Sequence, residues 1–242
     1  MQNRLIYGKN PVAEALVANH LIEVFAMASN DKTAKELLHK LRMAKIPMQM
    51  VDKHVLGNMA QTGQHQGFVA YAEPLQNASL NRLHADKPNG LRVLLLSNIQ
   101  DPGNLGAVIR NCEHFGIDLL IIGSKGSCDW QLPSVSKASA GAVEHQKIVY
   151  TSRPEKVMEE LKEKGFQIYG LEADVRDCIS SIRPKSDANL CMVLGSEGEG
   201  ISLAVESRVD QLLSIPRNGL VNSLNVSAAS VVASMWLRGL IA

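Results

Sequence analysis

This sequence has few aromatic residues, few cysteines and no long apolar run. Only 4% of its 242 residues are aromatic, and no CxxC pair occurs among its four cysteines, Cys112, Cys128, Cys178 and Cys191. A chain of this size does not need disulfides to hold its fold, so we expect reduced thiols and a cytoplasmic location. No apolar run approaches the roughly 20 residues that span a bilayer, and the N-terminal stretch lacks the apolar core of a signal peptide. We therefore expect no membrane partner.

The sequence also lacks an excess of charge of either sign. Its 25 Lys and Arg residues balance 24 Asp and Glu residues, for a formal net charge of +1. Any contact with a nucleic acid must therefore come from a local patch. The seven histidines show no shared metal-ligand spacing, and we predict no metal. With 45% hydrophobic and 20% charged residues, the composition is globular and excludes disordered, collagen-like and coiled-coil classes.

A polar, turn-forming stretch divides the chain into two predicted domains. Residues 1–75 mix helical and strand-like patterns and predict a small N-terminal α/β domain. Residues 76–90 end in a Pro-Asn-Gly turn and predict a linker that permits movement. Residues 91–242 then alternate apolar strands with helices, which predicts an α/β fold around a mostly parallel sheet. In such sheets ligands bind at the carboxyl ends of the strands.

The first of three unusual loops follows the first strand of the second domain. It reads Asp-Pro-Gly-Asn-Leu-Gly over residues 101–106, with Asn104 at the turn and Arg110 further along the helix that follows. The glycines let the backbone approach a ligand, and the free N–H groups at the start of a helix suit an anion. A common turn and a solvated arginine explain the same residues.

The second loop, residues 195–200, reads Gly-Ser-Glu-Gly-Glu-Gly directly after an apolar strand. Three glycines at a strand end predict a pocket lined by backbone, with Glu197 pointing into it, although a flexible acidic loop is the alternative. The loop matches neither a P-loop nor a GxGxxG fingerprint. The third loop follows Ile215 and brings Ser223 and Asn225 to the start of the last helix, where both could serve as N-caps. Three such loops at strand ends of one domain indicate a site.

Together the three loops resemble the three motifs of the SpoU-type RNA 2′-O-ribose methyltransferases of the SPOUT superfamily. The resemblance covers residues 91–242 in order and spacing, and it includes Lys-Ala-Ser-Ala-Gly-Ala-Val at 137–143, within a helix predicted over 135–143. In the first domain, the segment from Tyr7 to Leu16 and the triplet His-Gln-Gly at 65–67 resemble the ribosomal-protein-like substrate domain of bacterial 23S rRNA guanosine 2′-O-methyltransferases.

The resemblance implies a fold, a reaction and partners. The C-terminal domain would form a deep trefoil knot that makes a pocket for S-adenosyl-L-methionine, and the protein would act as a homodimer with that pocket at the subunit interface. Its substrate would be a guanosine ribose in 23S ribosomal RNA or its precursor. Arg110 would be the central catalytic residue, Asn104 would orient the ribose or Arg110, and three residues would arrange the RNA and the arginine across the dimer: Glu197, Ser223 and Asn225.

The resemblance also implies a set of cofactor residues. Backbone groups of Gly195, Ile215 and Leu224 would hold the cofactor, beside a set from two strand ends: Leu171, Glu172, Ala173 and Leu194. Arg110 has been given the role of general base in some schemes for the family. Because a guanidinium stays protonated, a clamp that binds phosphate and stabilises a developing alkoxide is the safer interpretation. Arg217 departs from the family, which usually has an apolar residue there; it could contact RNA or be solvated.

Several alternatives stay open at this point. Related enzymes with the same motifs modify transfer RNA, and only the extra N-terminal domain favours ribosomal RNA. A non-catalytic RNA-binding protein of the same fold is a further alternative, although it would not need all five predicted catalytic residues. A dehydrogenase lacks support because no glycine fingerprint follows the first strand of the α/β domain. His65 could contact RNA, Trp130 could stack on bases or fill the core, and Trp236 fits the core or a dimer interface better.

Overall fold

The computed structural model describes residues 3–196, 200–220 and 223–241, so the predicted site residue Glu197 lies outside the described residues. The chain forms two compact units. The first joins Met1–Leu75 with Asp129–His145, and the second joins Gln76–Cys128 with Gln146–Ala242. The limits predicted from the sequence assign residues 129–145 to the C-terminal domain, whereas in the structure this segment packs within the first unit.

The described residues contain helices and strands in regular succession. In chain order they are β1 (Arg4–Tyr7), α1 (Lys9–Val17), β2 (Leu21–Ala26), α2 (Lys32–Met43), β3 (Met48–Met50), α3 (Lys53–Ala60), β4 (Phe68–Ala72), α4 (Leu80–Asp86), β5 (Arg92–Leu96), α5 (Pro102–His114), β6 (Leu119–Gly123), α6 (Pro133–Ala138), β7 (Ile148–Thr151), α7 (Pro154–Glu163), β8 (Gln167–Leu171), β9 (Leu190–Leu194), α8 (Leu203–Glu206), β10 (Gln211–Leu213) and α9 (Val226–Leu237). Two short 3₁₀ helices span Ala142–Glu144 and Ile179–Ser181.

The first unit contains a four-stranded sheet with the order β1-β4-β2-β3. Strand β4 is antiparallel to both β1 and β2, and β3 joins β2 in parallel. Helix α2 packs against this core through Leu37, Leu38 and Leu41, which recur at helical spacing and are buried. Asp31 caps its first turn, since its side chain accepts a hydrogen bond from the amide of Ala34 at 3.1 Å.

The helix predicted over residues 135–143 is interrupted in the structure. Helix α6 ends at Ala138, and the chain then turns through Ala140 at φ 53° and Gly141 at φ 90° before the short 3₁₀ helix begins. A Cβ on Gly141 would lie 2.8 Å from the Cβ of Glu14, so glycine is required both for this conformation and for the close packing. The helical pattern of the sequence concealed the break because alanine and serine on either side suit a helix.

The second unit is built on a six-stranded sheet with the order β10-β8-β9-β5-β6-β7, in which every neighbouring pair is parallel. The predicted α/β class is therefore confirmed. Every residue of β5, β6 and β9 is buried, as expected for strands covered on both faces. The knotted path that the resemblance implies stays a prediction.

The stretch predicted as a linker, residues 76–90, contains helix α4. Its first turn is capped by Ser79, whose hydroxyl accepts a hydrogen bond from the amide of Arg82 at 3.3 Å. Leu80 and Leu83 are spaced by one turn and are buried in the core of the second unit. The polar composition concealed this helix because only two of its residues face the core. Within the described ranges, no helix is long and apolar enough to cross a membrane.

Candidate functional site

A cavity of about 530 Å³ opens at the carboxyl ends of the neighbouring strands β10, β8 and β9. Its size is in the range of about 300–1,000 Å³ that small-molecule sites occupy. The cavity is formed by segments that follow the three strand ends and by the start of α9, with the lining residues Leu171, Glu172, Ala173, Leu194, Gly195, Ser196, Gly200, Ile215, Pro216, Arg217, Gly219, Leu220, Ser223, Leu224, Val226 and Ala229.

All seven residues predicted to hold a cofactor line this one cavity: Leu171, Glu172, Ala173, Leu194, Gly195, Ile215 and Leu224. Ser223, predicted from the third loop, lines it as well. They come from distant parts of the sequence and meet because the carboxyl ends of parallel strands share one edge of the sheet. The lining combines backbone at strand ends with apolar side chains, which is typical of a pocket for a small organic ligand.

Gly195 stands where the backbone of the second loop approaches itself. The amide of Ser196 donates to the carbonyl of Gly200 at 3.1 Å, and the amide of Gly200 donates back to the carbonyl of Ser196 at 3.2 Å. A Cβ on Gly195 would lie 2.1 Å from the carbonyl carbon of Gly200, a distance that no side chain can adopt. Glycine is therefore a steric requirement at this wall of the cavity.

Glu172 fastens the end of β8 to the same loop. Its Oε1 accepts a hydrogen bond from the amide of Ile201 at 2.7 Å, and its own amide donates to the carbonyl of Leu213 at 2.9 Å. The residue therefore connects β8 to the loop after β9 and to strand β10. This carboxylate therefore helps to shape the cavity wall. The position of Glu172 next to a strand end does not indicate this role in the sequence.

Some lining residues were not predicted as site residues. Ser196 follows a predicted glycine, and its hydroxyl oxygen is buried with no hydrogen-bond partner among the described residues. Val226 and Ala229, one turn apart on α9, face the cavity although their apolar pattern resembles that of a core helix. Arg217 lines the cavity too and forms an ion pair with Asp174 at 3.1 Å. The remaining additions lie in the same loops as predicted residues, so proximity to those residues was the available clue: Gly200, Pro216, Gly219 and Leu220.

Two predicted catalytic residues, Asn104 and Asn225, contact each other directly. The side-chain amide of Asn225 donates to Oδ1 of Asn104 at 3.0 Å. Asn225 also caps α9, because its Oδ1 accepts from the backbone amide of Ser227 at 2.8 Å. Asn104 is fixed by its own backbone, whose amide donates to the side chain of the N-cap Asp101 at 2.7 Å. The side chain of Asn225 thus caps α9, as expected, and also contacts the first loop.

Arg110 lies on α5 and is exposed. Among the residues that the structure describes, no hydrogen bond or ion pair engages its guanidinium, and it is not part of the cavity lining. The next residue, Asn111, fixes this part of α5 to α9 by donating to the carbonyl of Ser227 at 3.0 Å and to the hydroxyl of Ser230 at 2.9 Å. Helix α5 is therefore held against α9 at Asn111, and the neighbouring Arg110 places its charge in solvent.

The tryptophans and His65 are buried. The indole N–H of Trp236 donates to the carbonyl of Ile182 at 2.8 Å, and its ring meets Tyr169 edge to face, which places Trp236 in the core. Trp130 is only 4% exposed and His65 only 2%. Burial lowers the pKa of His65, and the nearby charges of Lys53 and Lys137 lower it further. Within residues 3–196, 200–220 and 223–241, no group of three or more His, Cys, Asp or Glu could hold a metal ion.

Two family models match this chain. The model of the SpoU rRNA Methylase family matches residues 91–235, and the model of the RNA 2′-O ribose methyltransferase substrate-binding domain matches residues 5–78. The first model covers more than half of the chain. The second ends in the polar stretch just before helix α4.

Known proteins resemble the chain over nearly its whole length. It is 34% identical to a protein of Staphylococcus aureus (strain COL) whose name assigns it to the TrmH family of tRNA/rRNA methyltransferases, and the match covers 98% of this chain and 95% of the relative. The solved structure of the SpoU methyltransferase AviRb from Streptomyces viridochromogenes in complex with AdoMet superposes with a TM-score of 0.80 at 20% identity, covering 97% of this chain and 88% of the other. A TrmH family protein from Porphyromonas gingivalis gives a TM-score of 0.78 at 25% identity, with 98% and 90% covered.

Proposed function

The chain belongs to the SpoU rRNA Methylase family, and on this premise we propose that it transfers a methyl group from S-adenosyl-L-methionine to the 2′-hydroxyl of a guanosine ribose in 23S ribosomal RNA or its precursor. The observation that carries the proposal is the convergence of the three loops. The second and third loops form one cavity, and the third loop contacts the first through Asn225 and Asn104.

The cavity suits S-adenosylmethionine in size and in character. Gly195 leaves space that any Cβ would occupy, and Leu171, Leu194 and Leu224 offer apolar surface to an adenine ring and a thioether chain. The buried hydroxyl of Ser196, unpartnered among the described residues, is a polar group available to a ligand. When bound, the cofactor supplies a sulfonium methyl that is already activated for transfer.

Arg110 is proposed to act on the RNA as an electrostatic clamp. The remaining chemical task is to hold a ribose 2′-hydroxyl in line and to help it lose its proton. A guanidinium cannot be the acceptor of that proton at ordinary pH, because it stays charged in proteins. It can bind a phosphate and stabilise the developing alkoxide through its forked N–H groups. The exposed position of Arg110 on α5 leaves it accessible to RNA.

The other predicted catalytic residues are proposed to position groups around Arg110. Asn104, fixed by Asp101 and by Asn225, would orient the ribose or the arginine. Ser223, at the cavity, would contact RNA or help to orient Arg110, and Asn225 would do so from the start of α9. Glu197 is proposed to share this task across a homodimer. We expect the protein to act in the cytoplasm.

Two substrates of the same chemistry remain to be separated. The N-terminal unit, which matches the substrate-binding model, favours a structured ribosomal RNA. A transfer RNA ribose is the second candidate, since the S. aureus relative carries a name that covers both tRNA and rRNA.

The proposal is tested by transferring labelled methyl from S-adenosylmethionine to total RNA from a strain that lacks this gene and mapping the labelled nucleotide. We expect label at a 2′-O-methylguanosine in 23S rRNA. Label in transfer RNA would overturn the substrate and keep the reaction. Intact cofactor binding without any label would favour a non-catalytic RNA-binding protein of the same fold.

A further inference from the structure

Lys137 is a half-buried cation in the first unit that is held by a neutral group. Its ammonium donates to the side-chain carbonyl of Gln66 at 2.6 Å. Among the described residues, no carboxylate forms an ion pair with Lys137, and partial burial lowers the pKa of Lys137 below its usual value. An ammonium has three N–H donors, so the bond to Gln66 leaves donor capacity that the described part of the chain does not use.

Two other basic groups of the same unit have acidic partners. The guanidinium of Arg4 pairs with the carboxylate of Glu144 at 2.8 Å, and the ammonium of Lys9 pairs with Asp31 at 2.6 Å. Removing a cation from water without such compensation costs free energy. Lys137 is therefore placed in a setting that suits an anion supplied from outside the chain.

Three residues in the segments next to Lys137 have backbone conformations with positive φ. Gly8 has φ 105°, and a Cβ there would lie 2.7 Å from the ammonium nitrogen of Lys137. Gln66 has φ 52° and Gly67 has φ 86°, in a turn where the amide of Gly67 donates to Nδ1 of the buried His65 at 3.1 Å. Positive φ in a residue with a side chain, such as Gln66, is strained and is often retained where a site requires it.

The result is a contact assembled from three separate parts of the sequence. The carbonyl oxygen of Gln66 receives both the ammonium of Lys137 and, at 3.3 Å, the backbone amide of Lys9. Two segments of the sequence resemble the substrate domain, Tyr7–Leu16 and His65–Gly67. Both contribute residues to the surroundings of Lys137, which belongs to the motif of residues 137–143.

From this arrangement we propose that Lys137, oriented by Gln66 and given room by Gly8, binds a phosphate group of the RNA backbone. The inference rests on the proposed function, since it assumes that the N-terminal unit receives RNA. Lys137 belongs to the segment that the methylase model matches, but in the structure it is part of the first unit. The proposed phosphate contact therefore lies in the first unit. Such a contact adds affinity without reading the base.

The test uses Lys137→Gln in the full-length protein. A glutamine amide can still donate toward Gln66, so the charge is removed while a local hydrogen bond remains possible. The matched control is Lys162→Gln, which removes the same charge from an exposed lysine of the second unit that pairs with Asp210 at 2.7 Å. The probe is a transcript of 23S rRNA, and its dissociation constant is measured over a series of salt concentrations.

For Lys137→Gln we expect the dissociation constant to rise by about tenfold and the slope of log affinity against log salt to fall by about one. Lys162→Gln should match the wild type in both. Equal affinity and equal slope for the two variants would overturn the proposal. A lowered melting temperature with an unchanged salt slope would also overturn it, because it would identify a purely structural role for Lys137.

Failure of this inference can be distinguished from failure of the proposed function. Methyl transfer by the wild-type protein tests the function, while the salt slope tests the phosphate contact. Transfer to RNA with no effect of Lys137→Gln would reject the contact alone. A reduced slope in a protein that transfers no methyl group would retain the contact and reject the enzymatic function.

Discussion

The side-chain amide of Asn225 donates to Oδ1 of Asn104 at 3.0 Å, which joins the N-terminus of α9 to the N-terminus of α5 across 121 positions of the sequence. The same Asn225 accepts the amide of Ser227 as the N-cap of α9. One residue therefore combines a local stabilising role with a contact to the first loop. The two roles can be separated because capping needs an acceptor and the contact needs a donor.

Asn225→Asp should separate them. A carboxylate still accepts from Ser227 and caps the helix, but it cannot donate to Asn104. We expect kcat for methyl transfer to fall by at least about tenfold while the melting temperature stays near that of the wild type. Steady-state kinetics and thermal unfolding check this together. Wild-type kcat in Asn225→Asp would show that the donor group of Asn225 has no part in the reaction.

Arg110→Ala should lower methyl transfer by at least about 10²-fold, as expected for loss of a group that stabilises a transition state. Because Arg110 does not line the cavity, binding of S-adenosylmethionine should be unchanged. The control is Arg153→Ala, which removes an exposed arginine that precedes α7. Calorimetric cofactor titration and labelled-methyl transfer measure the two quantities. Normal transfer by Arg110→Ala with normal cofactor binding would place the catalytic centre elsewhere.

Gly195→Ala should weaken cofactor binding, because its new Cβ would meet the backbone of Gly200 at 2.1 Å. Strain of about 1–3 kcal/mol is typical of such overpacking. If it falls fully on cofactor binding, it corresponds to an increase in the dissociation constant of about fivefold to about 150-fold. Gly219→Ala provides the comparison, since its Cβ would have no neighbour within 4 Å although Gly219 lines the same cavity. Its effect should be clearly smaller. Equal effects of the two substitutions would contradict the steric explanation.

The burial of His65 predicts a loss of stability in acid. Because its pKa in the folded protein lies below the usual 6.5, the unfolded chain binds the proton more readily. The contribution is complete above about pH 6.5 and is lost as pH falls from there through the lowered pKa. His65→Asn keeps an acceptor for the amide of Gly67 and removes the titrating group. Urea unfolding at pH 7.5 and pH 5.5 should show a smaller pH difference in this variant than in the wild type. The same difference in both would assign the pH dependence to other groups.

Periodicity in the sequence was sufficient where one local pattern had one structural solution. The alternation of apolar strands with helices over residues 91–242 predicted the parallel sheet, which includes the fully buried strand Leu190–Leu194. It failed at α4, where two leucines in a polar stretch were too few to reveal a helix. It failed again at residues 140–141, where the packing of Gly141 against Glu14 decides the break in the predicted helix.

The sequence by itself predicted the seven cofactor residues and Ser223, all of which line the cavity. Their identities and order resemble those of a known family, and strands in one parallel sheet must end at a common edge, where Leu171, Gly195 and Ile215 meet. Only the tertiary structure decided which side chains contact each other. The bonds of Asn225 to Asn104, Glu172 to Ile201 and Lys137 to Gln66 join residues 121, 29 and 71 positions apart. Such contacts depend on how the helices, strands and loops pack against each other. The spacing of residues along the sequence does not predict that packing.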